Sequence, residues 1–274
     1  MRKVGGQRIV AYLILIVATV LSVLPTIYMI DLSFRNPVDS FSPVLFSPNP
    51  TMQNYQTIFA NSGFVQYFVN SLVVSVLTVM LTLFFVILAT FGLSRLKIRG
   101  RNIIFYVIIS GLMIPLASLI VPLTVVLKSG ELLNNYFGLI GPFTAIGTPF
   151  GLLVMKGAMD NFPRELEEAA VVEGASRLRV LWKIIVPTTI PSLLVVAIWQ
   201  FLYSWNEFFL SLVVMTDPAM KTVPLLPLQF EGPYMTNPGA LFAVLTVISL
   251  VPMLVYIVLQ KWFVGGLMAG GIKG

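Results

Sequence analysis

The sequence predicts an all-α, polytopic integral membrane protein with six transmembrane helices and both termini in the cytoplasm. Only 10% of the 274 residues are charged and the mean hydropathy is +0.93, whereas soluble domains carry about 25% charged residues. The apolar residues form long continuous runs, unlike the alternating pattern of a membrane β-barrel. The basic residues between these runs collect on one predicted side of the membrane. These three observations together predict the fold class.

Six apolar runs are long enough to cross a bilayer, which takes about 20 residues of helix. No small-residue cleavage site follows the first run, so we expect it to remain as a helix and not to be removed as a signal peptide. The six runs cover approximately 9–30, 67–93, 102–127, 138–158, 187–214 and 239–263.

The distribution of charge predicts the orientation. With the N-terminus placed in the cytoplasm, 14 of the 17 Lys and Arg residues fall on the cytoplasmic side, and the outside keeps Arg35, Lys128 and Lys221. Cytoplasmic loops of membrane proteins carry such an excess of basic residues. Orientation in a membrane therefore explains the net charge of +6, and we predict no nucleic-acid partner.

Composition and motifs argue against chemistry carried out by this chain. It contains neither Cys nor His, which removes disulfides, thiol chemistry and the commonest metal ligand. No G-x-x-x-x-G-K-[ST] phosphate loop occurs, and the Gly-rich "GGLMAGGIKG" has the wrong spacing for one. We therefore predict no catalytic site, no metal site, no bound cofactor and no ATP site, and hence no enzyme activity.

The stretch 160–186, between the fourth and fifth runs, is polar and forms short amphipathic helices in our prediction. Asp160 or Asn161 is expected to cap a first helix, and Gly174 to end it in the left-handed conformation. Ser176 is expected to cap a second helix that runs through "RLRVLWKII". The first helix and its flanks carry five acids, which the anionic cytoplasmic leaflet would repel. This predicts a surface that docks a protein and does not rest on lipid.

The stretch "EEAAVVEGASRLRVLWKIIVP" resembles the EAA loop of membrane permease subunits of binding-protein-dependent ABC importers. That resemblance implies a coupling helix that sits in a cleft of an ATPase subunit. Glu173 stands where the family more often has Asp. The residues that match the pattern, and to which the resemblance assigns ATPase coupling together with Glu173, are Glu168, Ala169, Ala170, Gly174, Ile184 and Pro187.

Three further stretches resemble the carbohydrate, maltose-type subfamily of these permeases. They are "NSLVVSVLTVMLTLFFVILATFGLSRLKIRGRN", "SWNEFFLSLVVMTDPAMKTVPLLPLQF" and "VGGLMAGGIKG". With the EAA loop they cover most of residues 67–274. The resemblance divides the chain into a first helix and external loop at 1–66, a permease core at 67–263 and a Gly-rich cytoplasmic tail at 264–274.

The resemblance implies the permease subunit of an ATP-driven importer for a mono- or oligosaccharide, working by alternating access in the inner (plasma) membrane. A separate ATPase would use the ATP. The implied partners are two ATPase subunits, an extracytoplasmic solute-binding protein, membrane lipid and a second, related permease chain that makes a heterodimer. Two alternatives stay open at this point. One is a permease for another polar solute such as a glycerol phosphate, and the other is a carrier or scaffold outside the ABC class.

Glu207 is the one acid within the predicted fifth run. It follows Pro187 by 20 residues, which places it about 30 Å along a helix and near the outer face. An acid inside a membrane span indicates function by default. We expect a structural or gating role for Glu207, and treat it and Asn206 as weaker candidates for the substrate pathway.

Overall fold

The computed structural model describes residues 3–36, 46–47, 49–61, 63–231 and 237–271. Every regular element among them is helical, which confirms the predicted all-α class. Residues 37–45 and 48 of the predicted external loop, and residues 272–274 of the predicted tail, lie outside this described part.

Twelve α-helices occur among the described residues. Their bounds are α1 Lys3–Ser33, α2 Gln53–Asn61, α3 Phe64–Arg95, α4 Arg101–Ser110, α5 Leu116–Ser129, α6 Phe137–Asp160, α7 Arg164–Val172, α8 Arg177–Val180, α9 Val186–Thr188, α10 Ile190–Asn206, α11 Phe209–Val214 and α12 Pro238–Gly271. A π-helical turn, Leu181–Ile185, joins α8 to α9, and short 3₁₀ segments cover Gly111–Met113, Pro218–Met220 and Val223–Gln229.

Four described helices, α1, α3, α6 and α12, are long and apolar enough to cross a membrane. Two bent pairs meet the same criterion when each pair is taken together. One is Arg101–Met113 with α5, bent by 102°, and the other is Arg177–Thr188 with α10, bent by 76°. The structure therefore has four to six candidate spans, as a polytopic membrane protein requires, and the count of six stays a prediction.

The third and fifth predicted runs are not continuous helices. Ile114 and Pro115 are extended, with ψ of 113° and 138°, and separate the third run into two arms. Proline disfavours helical backbone at the residue before it and has no N–H to donate, so the helix stops there. The predicted helix over 187–214 begins with the short α9, and α10 ends at Asn206, where Glu207 is extended with ψ of 119°.

The described chain forms two compact units. Met1–Val65 and Leu226–Leu250 make up the first unit, and Gln66–Leu225 and Val251–Gly274 make up the second. In the first unit the buried guanidinium of Arg35 pairs with Asp31 at 2.5 Å. The side-chain amide of Asn54 donates there to the backbone oxygens of Ser33 and Arg35, so polar contacts hold the end of α1 against α2.

The core of the second unit contains a cluster that ties the charged stretch to the helix bundle. Leu181 and Ile185 of the π-helical turn are fully buried and pack with Val86 of α3, Met155 of α6 and Val196 of α10. Burying Leu181 and Ile185, which belong to the polar cytoplasmic stretch, contributes about 1.5–3 kcal/mol each. The segment that follows α7 is therefore part of the bundle core and not a free loop.

Candidate functional site

The predicted start of the first short helix differs from the observed one. Asp160 is the last residue of α6 and receives a hydrogen bond from Lys156 Nζ at 2.6 Å. Asn161 follows α6 and donates to the backbone oxygen of Gly157. The residue that precedes α7 is Pro163, in extended conformation. The side-chain cap expected from Asp160 or Asn161 is therefore wrong, because α6 extends further than the apolar run that predicted it.

The end of α7 has the geometry that Gly174 predicts. Gly174 has a φ of +89°, and its N–H donates to the oxygen of Val171 at 3.0 Å. The N–H of Ala175 donates to the oxygen of Ala170 at 2.9 Å. These two bonds form a Schellman motif, which satisfies the last carbonyls of a helix. The following Ser176 caps α8 by accepting from the N–H of Arg179 at 3.3 Å, as predicted.

The residues proposed for ATPase coupling divide between two environments. Ala170 and Ile184 pack against the buried cluster of the second unit. The remaining five are exposed, namely Glu168, Ala169, Glu173, Gly174 and Pro187. The surface around them also exposes large apolar side chains, with Leu166 at 53%, Leu178 at 61% and Trp182 at 44%. Neighbouring exposed apolar side chains are typical of surfaces that bind a protein partner or a membrane.

A single ion pair fixes α7 to the ends of two long helices. Nε of Arg95 donates to both carboxylate oxygens of Glu167, at 2.7 and 2.9 Å. Nη2 of Arg95 lies 2.7 Å from Glu167 Oε1 and donates to the backbone oxygen of Met159 at 2.7 Å. Both charged side chains are largely buried, at 8% and 14% exposure. Arg95 therefore connects the end of α3, the end of α6 and the first turn of α7.

An open cavity of about 580 Å³ lies beside this ion pair. One face of α7 lines it, formed by Arg164, Glu167, Glu168 and Val171 at helical spacing. The remaining walls come from the end of α3, the start of α4, and α8. Five cations line the cavity, which are Arg95, Lys97, Arg101, Arg164 and Arg177. Glu168 thus faces this cavity, while Ala169 and Glu173 do not line it.

Glu207 lies directly after α10 and interacts with the next helix. Its side chain is buried at 7% exposure, and its carboxylate accepts from the backbone N–H groups of Leu210 and Ser211 at 3.0 and 3.1 Å. Glu207 therefore caps the start of α11. Asn206 is exposed and its amide donates to the backbone oxygen of Leu202. The Asn206 and Glu207 side chains make separate contacts, so the structure does not bring them together.

Aromatic and polar side chains meet in the middle of α6 and α10. The rings of Phe150 and Trp199 stack with centroids 4.5 Å apart, and Trp199 stacks on Tyr203 at 5.4 Å. The Tyr203 hydroxyl and Gln200 Oε1 are buried and find no hydrogen-bond partner among the described residues. Eight other buried side-chain atoms of the described residues also lack a partner.

Sequence reasoning missed Arg95, Glu167 and the cations of the cavity. Arg95 and Glu167 are 72 residues apart, and no local pattern links them. The only available signal was the count of basic residues on the cytoplasmic side, which did not show that several of them converge on α7. The aromatic stack was missed because a single sequence does not separate packing aromatics from those that line a path.

Comparisons with known proteins identify the family of the chain. Residues 86–268 match the family described as "Binding-protein-dependent transport system inner membrane component". The chain is 32% identical to the sulfoquinovosyl glycerol transport system permease protein SmoH of Agrobacterium fabrum, over 91% of this chain and 88% of that protein. It is 30% identical to the trehalose/maltose transport system permease protein MalG of Thermococcus litoralis, over the whole length of both.

A solved structure has the same fold. It is the crystal structure of a bacterial ABC transporter involved in the import of the acidic polysaccharide alginate. The TM-score is 0.81 at 20% identity, and the match covers 96% of this chain and 98% of that one.

Proposed function

Because this chain belongs to the family of inner membrane components of binding-protein-dependent transport systems, we propose that it is a permease subunit of an ATP-driven carbohydrate importer. It is a multi-pass protein of the inner membrane. Relatives across nearly its whole length are permeases for trehalose and maltose or for a sulfoquinovosyl glycerol. A mono- or oligosaccharide is therefore the substrate class that the comparisons favour.

The observation that carries the coupling role is the exposed surface of α7 and its flanks. Ala169, Glu173 and Gly174 are exposed beside the apolar side chains of Leu166 and Leu178. The small Ala169 and Gly174 leave room for a second surface to approach closely, and Glu173 supplies a charge that sets its register. We assign this surface to docking of an ATPase subunit.

The buried contacts explain how docking would act on the membrane part. Arg95 ties α7 to α3 and α6, and Leu181 and Ile185 join the same segment to α10 through the core. A displacement of α7 by the ATPase therefore moves the inner ends of three long helices together. Alternating access then exposes the pathway to the two sides of the membrane in turn, with ATP bound and hydrolysed by the partner ATPase.

The assembly follows from the number of coupling surfaces. One EAA-like segment occurs in this chain, and two ATPase subunits need two such segments. A second, related permease chain completes the pathway, and an extracytoplasmic binding protein delivers the sugar. We further propose that each bent helix pair is one span. This arrangement gives six spans with both termini in the cytoplasm, and a permease core at 67–263.

The pathway residues that best fit a sugar are in the aromatic stack. Trp199 is the tenth of the 17 residues of α10, so it lies near the middle of that helix. Membrane-interface aromatics collect near the ends of spans. Tyr203 and Gln200 carry the unpartnered polar atoms, which offer a donor and an acceptor to hydroxyl groups. Asn206 and Glu207 remain weaker candidates, because Glu207 is already engaged in capping α11.

Co-purification from detergent-solubilised membranes tests the proposal. The tagged native chain is compared with the double variant Glu168→Lys, Glu173→Lys. A matched control, Glu131→Lys with Glu231→Lys, makes the same charge change at exposed acids outside 160–186. We expect an ATPase and a second permease to co-purify with the native chain and the control, and the ATPase alone to be lost from the variant.

Two results would contradict the proposal. If no ATPase co-purifies with the native chain, a carrier or scaffold becomes the better interpretation. If sugar uptake in cells continues after deletion of the co-purified ATPase, the transport does not depend on ATP in the way proposed. If the complex takes up a glycerol phosphate and neither maltose nor trehalose, the alternative named above, a permease for another polar solute, replaces the carbohydrate permease.

A further inference from the structure

The cavity beside α7 carries positive charge that the described residues do not neutralise. It is lined by two acids, Glu167 and Glu168, and Glu167 is already engaged by Arg95. Four further cations line the cavity and make no ion pair or side-chain hydrogen bond with any other described residue, namely Lys97, Arg101, Arg164 and Arg177.

One of these cations stands at a helix position where a cation is unfavourable. Arg101 is the first residue of α4, and the helix dipole stabilises acids at this end and destabilises cations. No acid lies in the first turn of α4 to compensate. Local helix stability therefore does not explain Arg101, whereas an anion in the cavity would.

The cavity also has apolar lining. It comes from Phe91 of α3, from Leu96 directly after that helix, and from Val171 and Val172 of α7. Val172 is 88% exposed, which leaves its side chain with little to pack against. Cations and apolar side chains in the lining of one cavity match a ligand with a phosphate group joined to hydrocarbon. It matches a free inorganic anion less well.

We propose that this cavity binds an anionic phospholipid of the cytoplasmic leaflet. The phosphate lies among Lys97, Arg101 and Arg177, and the start of the acyl chains lies along Phe91 and Val172. The cavity is at the end of a membrane-spanning helix on the side that the basic residues predict to be cytoplasmic, where anionic lipids attract basic segments. Of the five acids that predicted repulsion from this leaflet, only Glu167 and Glu168 line the cavity, against five cations. Arg95 and Glu167 line the same cavity, so the bound lipid lies beside the ion pair that positions α7.

The test uses the purified complex in nanodiscs of phosphatidylcholine, with and without phosphatidylglycerol as the probe. The phosphatidylglycerol retained by the complex is quantified by mass spectrometry. The variant is Lys97→Ala with Arg101→Ala. The matched control is Arg179→Ala with Lys183→Ala, which removes two exposed cations of the same region that do not line the cavity. If the alanine variant fails to insert, Lys97→Gln with Arg101→Gln replaces it.

We expect the variant to bind phosphatidylglycerol about 10- to 30-fold more weakly, since each cation near a membrane surface contributes about 1 kcal/mol. The control should stay within about twofold of the native complex, since its cations lie outside the cavity. Equal retention by variant and control would overturn the proposal. Displacement of the lipid by inorganic phosphate alone would also overturn it, because the apolar lining would then have no role.

The ATPase content of the same samples separates this inference from the proposed function. Loss of the ATPase from the variant, with phosphatidylglycerol binding unchanged, would assign the cavity to the ATPase and overturn the lipid proposal. Retention of phosphatidylglycerol by a native chain that carries no ATPase would instead contradict the importer function and leave the lipid site in place.

Discussion

Replacing Arg95 by Ala should release α7 from the helix bundle while the rest of the chain stays folded. The change removes the two hydrogen bonds that Arg95 Nε donates to Glu167. It also removes the contacts of Arg95 Nη2 with Glu167 and with the backbone oxygen of Met159. It also leaves the carboxylate of Glu167, 14% exposed, without its cation. Removing one partner of such a largely buried pair costs about 3 kcal/mol.

That free energy corresponds to a factor of about 100 in the ratio of attached to released α7. Trypsin cleavage after Arg164, the first residue of α7, reports this ratio, because cleavage within a helix requires local opening. We expect the cleavage rate in the Arg95→Ala variant to rise by up to about 100-fold. In the reconstituted complex, the number of sugar molecules moved per ATP should fall, because the ATPase moves α7 without moving α3.

The control for this experiment is Asp160→Ala. It breaks the Lys156–Asp160 pair, in which Asp160 is 48% exposed and four residues from its partner. Such an exposed pair contributes about 0.3–0.5 kcal/mol, so trypsin cleavage should change by about twofold or less. Native cleavage rates and native coupling in the Arg95→Ala variant would refute the reasoning that this ion pair transmits the motion of α7.

Three other predictions follow from single residues. Gly174→Ala should destabilise the turn after α7 by about 1 kcal/mol, because φ of +89° is strained for any residue with a Cβ, and a lower ATPase occupancy in the co-purification would show it. Glu207→Gln should keep one acceptor for the N–H groups of α11 and lose the charge. Transport should therefore fall while the ATPase stays bound, and loss of the ATPase would contradict the placement of Glu207 away from the coupling surface. Trp199→Ala should lower uptake of maltose or trehalose at unchanged ATPase content, and the aromatic Trp199→Phe should retain more uptake. Equal uptake by both variants and the native complex would contradict the proposal that the aromatic stack lines the substrate pathway.

Most of the local structure follows from patterns that a single sequence contains. The end of α7 was predicted from Gly174, because few other residues adopt a φ of +89° without strain. The start of α8 was predicted from Ser176, whose hydroxyl accepts the N–H of Arg179. The cap predicted at Asp160 or Asn161 was wrong, because α6 continues to Asp160 and the apolar run did not mark where that helix ends.

The bends of the third and fifth runs show a second limit of predicting helices from sequence. Hydropathy averages over a window, so Pro115 does not interrupt an apolar run even though it interrupts the helix. Glu207 was identified from sequence as an unusual acid. Its contacts with Leu210 and Ser211 depend on the backbone turning after Asn206, and they were not predicted.

The sequence by itself determined the all-helical membrane class, because composition and the length of apolar runs decide which solvent a chain tolerates. It also determined the resemblance of the segment from Glu168 to Pro187, because that pattern is local. Only the tertiary structure decided that Arg95 meets Glu167, that separate cations converge on one cavity, and that Trp199 stacks between Phe150 and Tyr203. Those contacts join residues far apart in the chain, and they form only when packing brings the helix ends and faces together.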